Sequence, residues 1–438
     1  MSSQATTASP GKRGKKWTST FFQGLQKMGR SLQLPIAVLP AAGILNRLGQ
    51  PDIFGDEGLG WTDVAKVFMG AGGALLDSAL GLPLLFCVGV AIGMAKKADG
   101  STALAAVAGF LVYYNILHQF PTCPSGAEFD PAMTACVGKD GEAAGAPTYQ
   151  NPGVFGGIVL GLLTAWFWQR LHRVKLVDWL GFFNGRRLVP IVMAFVALVL
   201  AVVCQWVWPP VGDALTSFSK WMTDLGSWGS GIFGLANRAL IPVGLHQFLN
   251  TFMWFQFGDF TKPNGEVVHG DINRFLAGDP TAGQFTSGFF PIMMFALPAA
   301  ALAITHTARP ERRKVVGGLM LSVGLTSFVT GVTEPIEFSF LFVAPALYAI
   351  HVLLTGVSMA VTWALGVHDG FSFSAGLIDY VINWSLATKP WLIIPIGLCF
   401  AVVYYALFRF VIVKFDLKTP GREPEEVADE IEKENTEA

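Results

Sequence analysis

Long apolar stretches without charge constrain this chain more than any other feature of its sequence. Residues 188–211, 315–333 and 390–408 carry no charged side chain, and residues 338–367 contain only His351. A helix needs about 20 residues to cross a bilayer, and it satisfies its own backbone groups where lipid cannot. A barrel would need alternating apolar and polar residues, whereas these runs are apolar on every side. The sequence therefore predicts an all-α polytopic membrane protein, which also fits its charged fraction of only 14%.

The apolar segments fall into two groups, which predicts two membrane domains joined by a link. We expect a scaffold or dimerisation domain over residues 32–212, an amphipathic, tryptophan-rich linker over 213–230 and a transport domain over 231–415. Residues 1–31 are expected to form a cytoplasmic N-terminus with an amphipathic helix, and residues 416–438 an acidic cytoplasmic tail. These segments together predict about ten transmembrane helices plus re-entrant hairpins.

Charge is distributed unevenly between the loops, and this predicts how the chain lies in the inner membrane. Short loops rich in lysine and arginine belong in the cytoplasm by the positive-inside rule, so we expect both termini there. Residues 51–60 and 121–150 are acidic or nearly free of basic residues, which places them outside. Cys123 and Cys136 share the second of these loops and could form a disulfide there. The basic clusters lie at residues 12–16, 96–97, 170–175, 186–187 and 309–314.

No cofactor motif is found in the sequence. The five cysteines show no CxxC pair and no Cys/His spacing typical of a metal site. A phosphate-cradling GxxxxGK[ST] loop is also missing. We therefore expect no metal or other cofactor, no ATP-driven transport by this chain, and no nucleic-acid partner.

The second half of the chain has the features of a binding site within the membrane. Glycine, proline and polar residues break its apolar runs at residues 238–246, 331–335 and 368–372. Interrupted hydrophobic segments mark substrate sites in transporters, because irregular backbone at membrane depth must be buried in protein or line a watery cavity. We therefore expect the substrate site in this half.

Glu334 is the strongest single indication of chemistry. It lies in a long apolar run whose only other carboxylate is Glu337, and a carboxylate there costs at least ~2.5 kcal/mol. Pro335 biases Glu334 away from helical geometry, and Gly331 permits a sharp turn. These residues predict a re-entrant tip, with a helix that starts at Pro335 and carries Glu337 in its first turn. The alternative is a loop carboxylate that caps this helix at the water interface.

Two further groups of polar residues accompany the other breaks. In a helix, His246 and Asn250 share one face, and with Gln247 they offer donors and acceptors suited to sugar hydroxyls and an acetamido group. These three side chains could equally pack helices together. Arg238 could bind phosphate or extend to the membrane interface. In the last break His368 and Ser372 could bind substrate or belong to a plain turn, and we expect His351 to be a packing histidine.

The octapeptide Gly-Val-Thr-Glu-Pro-Ile-Glu-Phe at residues 331–338 resembles the signature of phosphotransferase-system IIC proteins of the glucose superfamily. Residues 34–43 are similar to the first membrane segment of that family. Gln247 stands where the glucose branch tends to have a second histidine. Further segments resemble the N-acetylglucosamine branch specifically, and they lie at residues 244–251, 254–256, 270–275 and 287–295.

This resemblance implies group translocation, in which the sugar is phosphorylated on its 6-hydroxyl as it enters. The donor would be a phosphocysteine on a separate IIB protein, since the tail carries no cysteine, with IIA and HPr upstream. The family fold implies a homodimer whose transport domain moves as a rigid body. By analogy Glu334 and His246 are the catalytic residues at the hydroxyl. The residues expected to bind substrate are Arg238, Gln247, Asn250, Glu337, His368 and Ser372.

Other functions remain compatible with the sequence. A secondary transporter could couple sugar entry to a proton through Glu334, because buried carboxylates serve as proton relays. A IIC protein for glucose or another hexosamine would differ only in its pocket contacts. A sugar-sensing membrane receptor is a third alternative, although no signalling domain accompanies the spans.

Overall fold

Helices dominate the computed structural model of the chain. It describes residues 27–28, 31, 35, 38–76, 80–123, 127–131, 135–138, 143–145, 148–243, 246–262 and 267–422. Most of the predicted cytoplasmic N-terminus with its amphipathic helix lies outside these ranges, since only residues 27, 28 and 31 of the first 31 are described. The predicted acidic tail lies outside them beyond residue 422.

The described helices follow one another along most of the chain, and many are short because glycine and proline interrupt the apolar runs. The helices are α1 (Leu39–Leu48), α2 (Thr62–Leu76), α3 (Gly81–Met94), α4 (Gly100–Leu117), α5 (Val154–Leu171), α6 (Leu188–Asp224), α7 (Ser227–Leu240), α8 (His246–Phe255), α9 (Asp271–Leu276), α10 (Leu297–Thr307), α11 (Arg313–Thr330), α12 (Glu334–Leu341), α13 (Pro345–Ala364), α14 (Leu377–Ile382) and α15 (Ile393–Lys414). A π-helical turn, Pro291–Ala296, leads into α10.

Within the described residues, five helical segments are long and apolar enough to cross a membrane. The number rises to six if α2 and α3 form one broken span. The prediction of about ten spans is therefore not confirmed, although the mostly helical membrane architecture is. The five segments are Gly100–Leu117, Val154–Leu171, Gly185–Asp224, Pro345–Ala364 and Pro390–Lys414.

The chain forms two compact units that alternate along the sequence. The first consists of Met1–Val38, Asp77–Ala214 and Ile241–Phe248, and the second of Leu39–Leu76, Leu215–Leu240 and Leu249–Ala438. The domain boundaries expected from the sequence stay a prediction.

The first unit packs α3, α4, α5 and the start of α6 around buried residues such as Phe110, Trp168 and Met193. Gly157 allows α5 to approach α3 closely, because a Cβ there would lie 2.2 Å from the Pro83 carbonyl oxygen. Between α4 and α5 the chain forms short antiparallel strands that the sequence did not predict. They are β1 (Pro121–Thr122), β2 (Ala127–Asp130), β3 (Ala135–Gly138), β4 (Ala143–Gly145) and β5 (Thr148–Tyr149).

A disulfide joins Cys123 to Cys136 in this stranded segment, across a sequence separation of 13. The pairing that the sequence allowed is therefore confirmed. The bond ties the stretch that follows β1 to strand β3, where Cys136 is buried.

The second unit packs α7 against α13 and α10 against α11 and α15. Gly234 permits the first of these contacts, since a Cβ there would lie 2.5 Å from the Met359 side chain. A two-stranded hairpin, β6 (Asp259–Thr261) with β7 (Val267–His269), precedes α9. The unit also includes α1 and α2 from the beginning of the chain.

Candidate functional site

A break in the helical backbone at residues 331–333, between α11 and α12, positions Glu334. Gly331 ends α11 in the left-handed conformation with φ of 73°, which glycine adopts without the steric penalty of a Cβ. Helix α12 then begins at Glu334, with Pro335 in its first turn together with Glu337. The predicted helix start is confirmed to within one residue. Both carboxylates lie at a helix N-terminus, where the dipole favours negative charge.

Glu337 lies at the centre of a buried ion pair. Its side chain is 0% exposed, and Oε1 accepts a hydrogen bond from Arg238 Nη1 at 2.9 Å. The Arg238 side chain is only 4% exposed, and the same nitrogen also donates to Thr333 Oγ1 at 3.4 Å. Because an unpaired charge in this environment would cost several kcal/mol, each of the two charges requires the other.

His351 provides the second contact to Glu337. Its Nε2 lies 3.2 Å from Glu337 Oε1 and its Nδ1 lies 3.0 Å from the Tyr404 hydroxyl. A carboxylate only accepts hydrogen bonds, so we assign the proton to Nε2, and Nδ1 then accepts from the tyrosine O–H. The expectation of a buried packing histidine is confirmed. In addition to its packing, His351 has a hydrogen-bond partner at each ring nitrogen, and one of these partners is a carboxylate.

Helix α13 also holds the backbone of the arginine. The Tyr348 hydroxyl donates to the Arg238 carbonyl oxygen at 2.5 Å, and the guanidinium lies 4.9 Å above the Phe289 ring. We refer to these six residues of the second unit as the Arg238 cluster: Arg238, Thr333, Glu337, Tyr348, His351 and Tyr404.

Glu334 differs from its neighbour Glu337. It is half-buried and forms no ion pair with any residue in the described ranges, although it lies within electrostatic range of Arg238 and Glu337. The first turn of α12 thus offers one carboxylate, Glu334, that lies outside any ion pair of the described residues, whereas Glu337 is held through Oε1 by Arg238 and His351.

The remaining predicted site residues have other contacts. In the second unit Asn250 is buried and its side-chain oxygen accepts from the Asn237 amide. His368 contacts the Pro280 carbonyl oxygen through Nδ1 at 2.7 Å and stacks on Trp363. The Ser372 backbone N–H donates to Asp379 at 2.6 Å. These contacts anchor local structure and do not by themselves indicate a substrate.

His246 and Gln247 belong to the first unit. Their side chains approach each other, with 2.9 Å between the two Nε2 atoms. Helix α8 begins at His246 and includes Asn250, so the two residues are four positions apart on one helix. Their roles toward a substrate stay a prediction.

A second buried ion pair stabilises the end of α1 in the second unit. Arg47 donates from two nitrogens to the two Asp52 oxygens, each at 2.6 Å, and from Nε to Asn383 Oδ1 at 2.7 Å. Burial raises the pKa of Asp52, but the hydrogen bonds from Arg47 and Ser385 outweigh it and lower that pKa below its usual value. This pair fastens the loop after α1 to the end of α14.

Sequence reasoning missed most partners in the Arg238 cluster. Arg238 and Glu337 were each singled out, but not as partners, and Tyr348 and Tyr404 were not considered. The one available signal was His351, the only histidine in an apolar run that has no lysine, arginine, aspartate or glutamate. Among the described residues, no group of three or more His, Cys, Asp and Glu side chains could hold a metal ion.

Comparison with known proteins bears on the whole chain. A family model described as phosphotransferase system, EIIC, matches residues 29–356. The chain is 66% identical to a Streptomyces coelicolor protein named the PTS system N-acetylglucosamine-specific EIIC component, over 99% of this chain and 100% of the relative. It is 46% identical to a Bacillus subtilis N-acetylglucosamine-specific EIICB component, over 94% of this chain and 81% of the relative.

A solved structure shares the fold at low sequence identity. The transporter ChbC, the IIC component of an N,N'-diacetylchitobiose-specific phosphotransferase system, superposes with a TM-score of 0.52 at 14% identity. The match covers 90% of this chain and 92% of ChbC.

Proposed function

The chain belongs to the phosphotransferase system EIIC family, and from that premise we propose that it imports N-acetylglucosamine and delivers it as the 6-phosphate. The sugar is supported by the name of the Streptomyces coelicolor relative, which matches nearly the whole chain at 66% identity. The segments that resemble the N-acetylglucosamine branch, which include Gln247, point to the same sugar.

The proposed reaction transfers a phosphoryl group from a IIB phosphocysteine to the sugar. The phosphorus–sulfur bond breaks, a bond forms between phosphorus and the 6-hydroxyl oxygen, and the hydroxyl proton passes to Glu334. Such transfer depends mainly on positioning and electrostatics, and a carboxylate within hydrogen-bond reach can orient the hydroxyl and accept its proton. His246 is proposed to hydrogen-bond the same oxygen or to neutralise charge on the incoming phosphoryl group.

The single observation that carries this proposal is the difference between the two carboxylates of α12. Glu337 is paired with Arg238, whereas Glu334 has no ion-pair partner in the described part of the chain. A half-buried carboxylate without such a partner is available to a sugar hydroxyl. Gln247 and Asn250 are proposed to bind the acetamido group and ring hydroxyls, and His368 and Ser372 to line the site.

The test is Glu334→Gln, which keeps the shape of the side chain and removes its charge. We expect sugar binding to survive in part while phosphorylation falls steeply, measured in membrane vesicles supplied with phosphoenolpyruvate and all the partner phosphotransferase components, including HPr, IIA and IIB. Glu57→Gln, in an exposed loop, is the matched control and should behave as wild type. Full phosphorylation activity of Glu334→Gln would refute the role of Glu334.

The chemical form of the accumulated sugar separates this proposal from proton-coupled transport. Phosphorylated sugar that requires phosphoenolpyruvate and the partner proteins supports group translocation. Free sugar accumulated with a pH gradient alone would favour the secondary transporter. Competition among labelled hexoses during uptake tests the preference for N-acetylglucosamine over glucose and glucosamine.

We further infer that both termini lie in the cytoplasm and that the protein acts as a homodimer. The basic loops support this orientation, as does the Cys123–Cys136 disulfide in a loop expected outside, because disulfides persist in oxidising compartments. A separate IIB partner is consistent with the Streptomyces coelicolor relative, which is named as EIIC alone.

A further inference from the structure

The Arg238 cluster contains a histidine that the proposed reaction does not use. His351 is fully buried, and both of its ring nitrogens have polar partners. Its Nε2 contacts the same Glu337 oxygen that accepts from Arg238, while Glu337 Oε2 has no hydrogen-bond partner among the described residues. One carboxylate oxygen therefore carries the contacts from both Arg238 and His351.

We propose that His351 is a positioning residue for sugar phosphorylation: it holds Glu337 and, through Glu337, the guanidinium of Arg238. This inference rests on the proposed function, because it concerns how the cluster prepares Glu334 for the sugar hydroxyl. His351 itself is not proposed to touch the sugar.

Burial makes this contact strong. Glu337 and His351 side chains are both 0% exposed, so water does not replace a lost donor, and a buried acceptor left without its donor bears the full desolvation penalty. The Tyr404 O–H fixes the tautomer, because a hydroxyl that donates to Nδ1 keeps the ring proton on Nε2. With a neutral histidine, the charges of Arg238 and Glu337 cancel.

That cancellation matters for Glu334. Glu334 and Glu337 are three residues apart on one helix and therefore neighbours on its surface, and like charges at this spacing oppose each other's ionisation. When Arg238 compensates the charge of Glu337, that charge opposes the ionisation of Glu334 less, which favours the form of Glu334 that can accept a proton. The titratable and charged groups that face one another here are Arg238, Glu334, Glu337, Tyr348, His351 and Tyr404.

The test compares His351→Leu with His351→Gln in the phosphorylation assay. Leucine removes the donor to Glu337, whereas glutamine can keep an N–H donor at that position. We expect His351→Leu to lower kcat on the order of tenfold, the size expected for a lost hydrogen bond to a charged group, with little change in the KM for sugar. The acid limb of the pH–rate profile should move to higher pH, and His351→Gln should restore most of both.

Tyr404→Phe provides a second variant with a matched control in the next residue. It removes the O–H that fixes the tautomer of His351. We expect kcat to fall roughly threefold and the acid limb of the pH–rate profile to move to higher pH, as for His351→Leu. Tyr405 makes a similar contact, 2.8 Å from its hydroxyl to His306 Nδ1, away from the cluster. Tyr405→Phe should therefore match wild type.

The outcomes separate this inference from the function on which it rests. If Glu334→Gln is inactive but His351→Leu keeps the wild-type kcat and pH profile, His351 only packs and the inference is wrong. If Glu334→Gln is fully active, the proposed function fails and the inference falls with it. Should His351→Leu fail to fold, identical kcat and pH profiles for Tyr404→Phe and Tyr405→Phe would overturn the inference.

Discussion

Removing the charge of Arg238 should destabilise the protein far more than removing a surface arginine. Arg238 and Glu337 are 2.9 Å apart with 4% and 0% of their side chains exposed. At an effective dielectric constant of ~20 their attraction is about 6 kcal/mol, part of which offsets the desolvation of the two ions. Deleting one partner of a buried pair typically costs about 3–5 kcal/mol, because the other charge is left uncompensated. We expect Arg238→Met to lower the free energy of unfolding by this amount.

A double variant distinguishes the loss of the pair from the exposure of a buried charge. In Arg238→Met combined with Glu337→Gln neither charge remains, and the glutamine oxygen can still accept from His351. Replacing both members of a buried pair by neutral groups is often close to neutral for stability. The double variant should therefore recover at least about half of the loss, while its phosphorylation activity stays low.

Thermal unfolding in detergent, followed by tryptophan fluorescence, measures these differences. A loss of 3–5 kcal/mol corresponds to roughly 10 °C in the midpoint for a unit of this size. Arg173→Met is the matched control, since Arg173 is exposed and its removal should change stability by less than about 0.5 kcal/mol. The reasoning is refuted if Arg238→Met has the same unfolding midpoint as Arg173→Met, or if the double variant is no more stable than Arg238→Met alone.

Three further predictions concern stability. Cys123→Ser should cost about 3 kcal/mol in unfolding experiments, and adding a reductant to this variant should cost nothing more. Asp52→Asn should unfold at a midpoint that differs fully from wild type at pH 7, and this difference should vanish at low pH. A carboxyl group whose pKa is lowered on folding contributes stability above its usual pKa of 3.8, and this contribution is lost as the pH falls through the folded-state pKa. A difference that stays constant with pH would contradict this. Gly331→Ala should lower stability by about 1–2 kcal/mol, since the φ of Gly331 is 73° and a Cβ there would lie 2.6 Å from a serine oxygen. Gly318→Ala, within α11, is the control: its Cβ meets open space, so this variant should be neutral or stabilising.

Features with a local cause could be predicted from the sequence. The break before α12 follows from Gly331 and Pro335, whose conformational properties act within a few residues. The pairing of Cys123 with Cys136 could be anticipated because few residues separate them in one loop. The helical membrane architecture followed from the absence of charge over long runs.

Features with a tertiary cause could not be predicted. Arg238 and Glu337 are 99 residues apart in sequence, and no local pattern indicates which carboxylate meets which cation. The number of spans depends on whether glycine and proline end a helix or only bend it, which packing decides. The strands between α4 and α5 arise from pairing within a loop that has little hydrophobic pattern.

The Arg238 cluster also explains why two glutamates separated by one helical turn can serve different purposes. The phosphoryl group arrives with negative charge, so every uncompensated carboxylate nearby raises the barrier to its approach. Glu337 adds little to this repulsion, because Arg238 cancels its charge within 2.9 Å. In the proposed reaction Glu334 must be charged to take the hydroxyl proton, and taking that proton removes its charge. On the proposed function, the charge of Glu334 is neutralised in the same step in which the sugar oxygen attacks phosphorus, and the negative charge passes to the cysteine thiolate that leaves on IIB. This sequence of events requires that Glu337, rather than Glu334, be the carboxylate bound by the arginine.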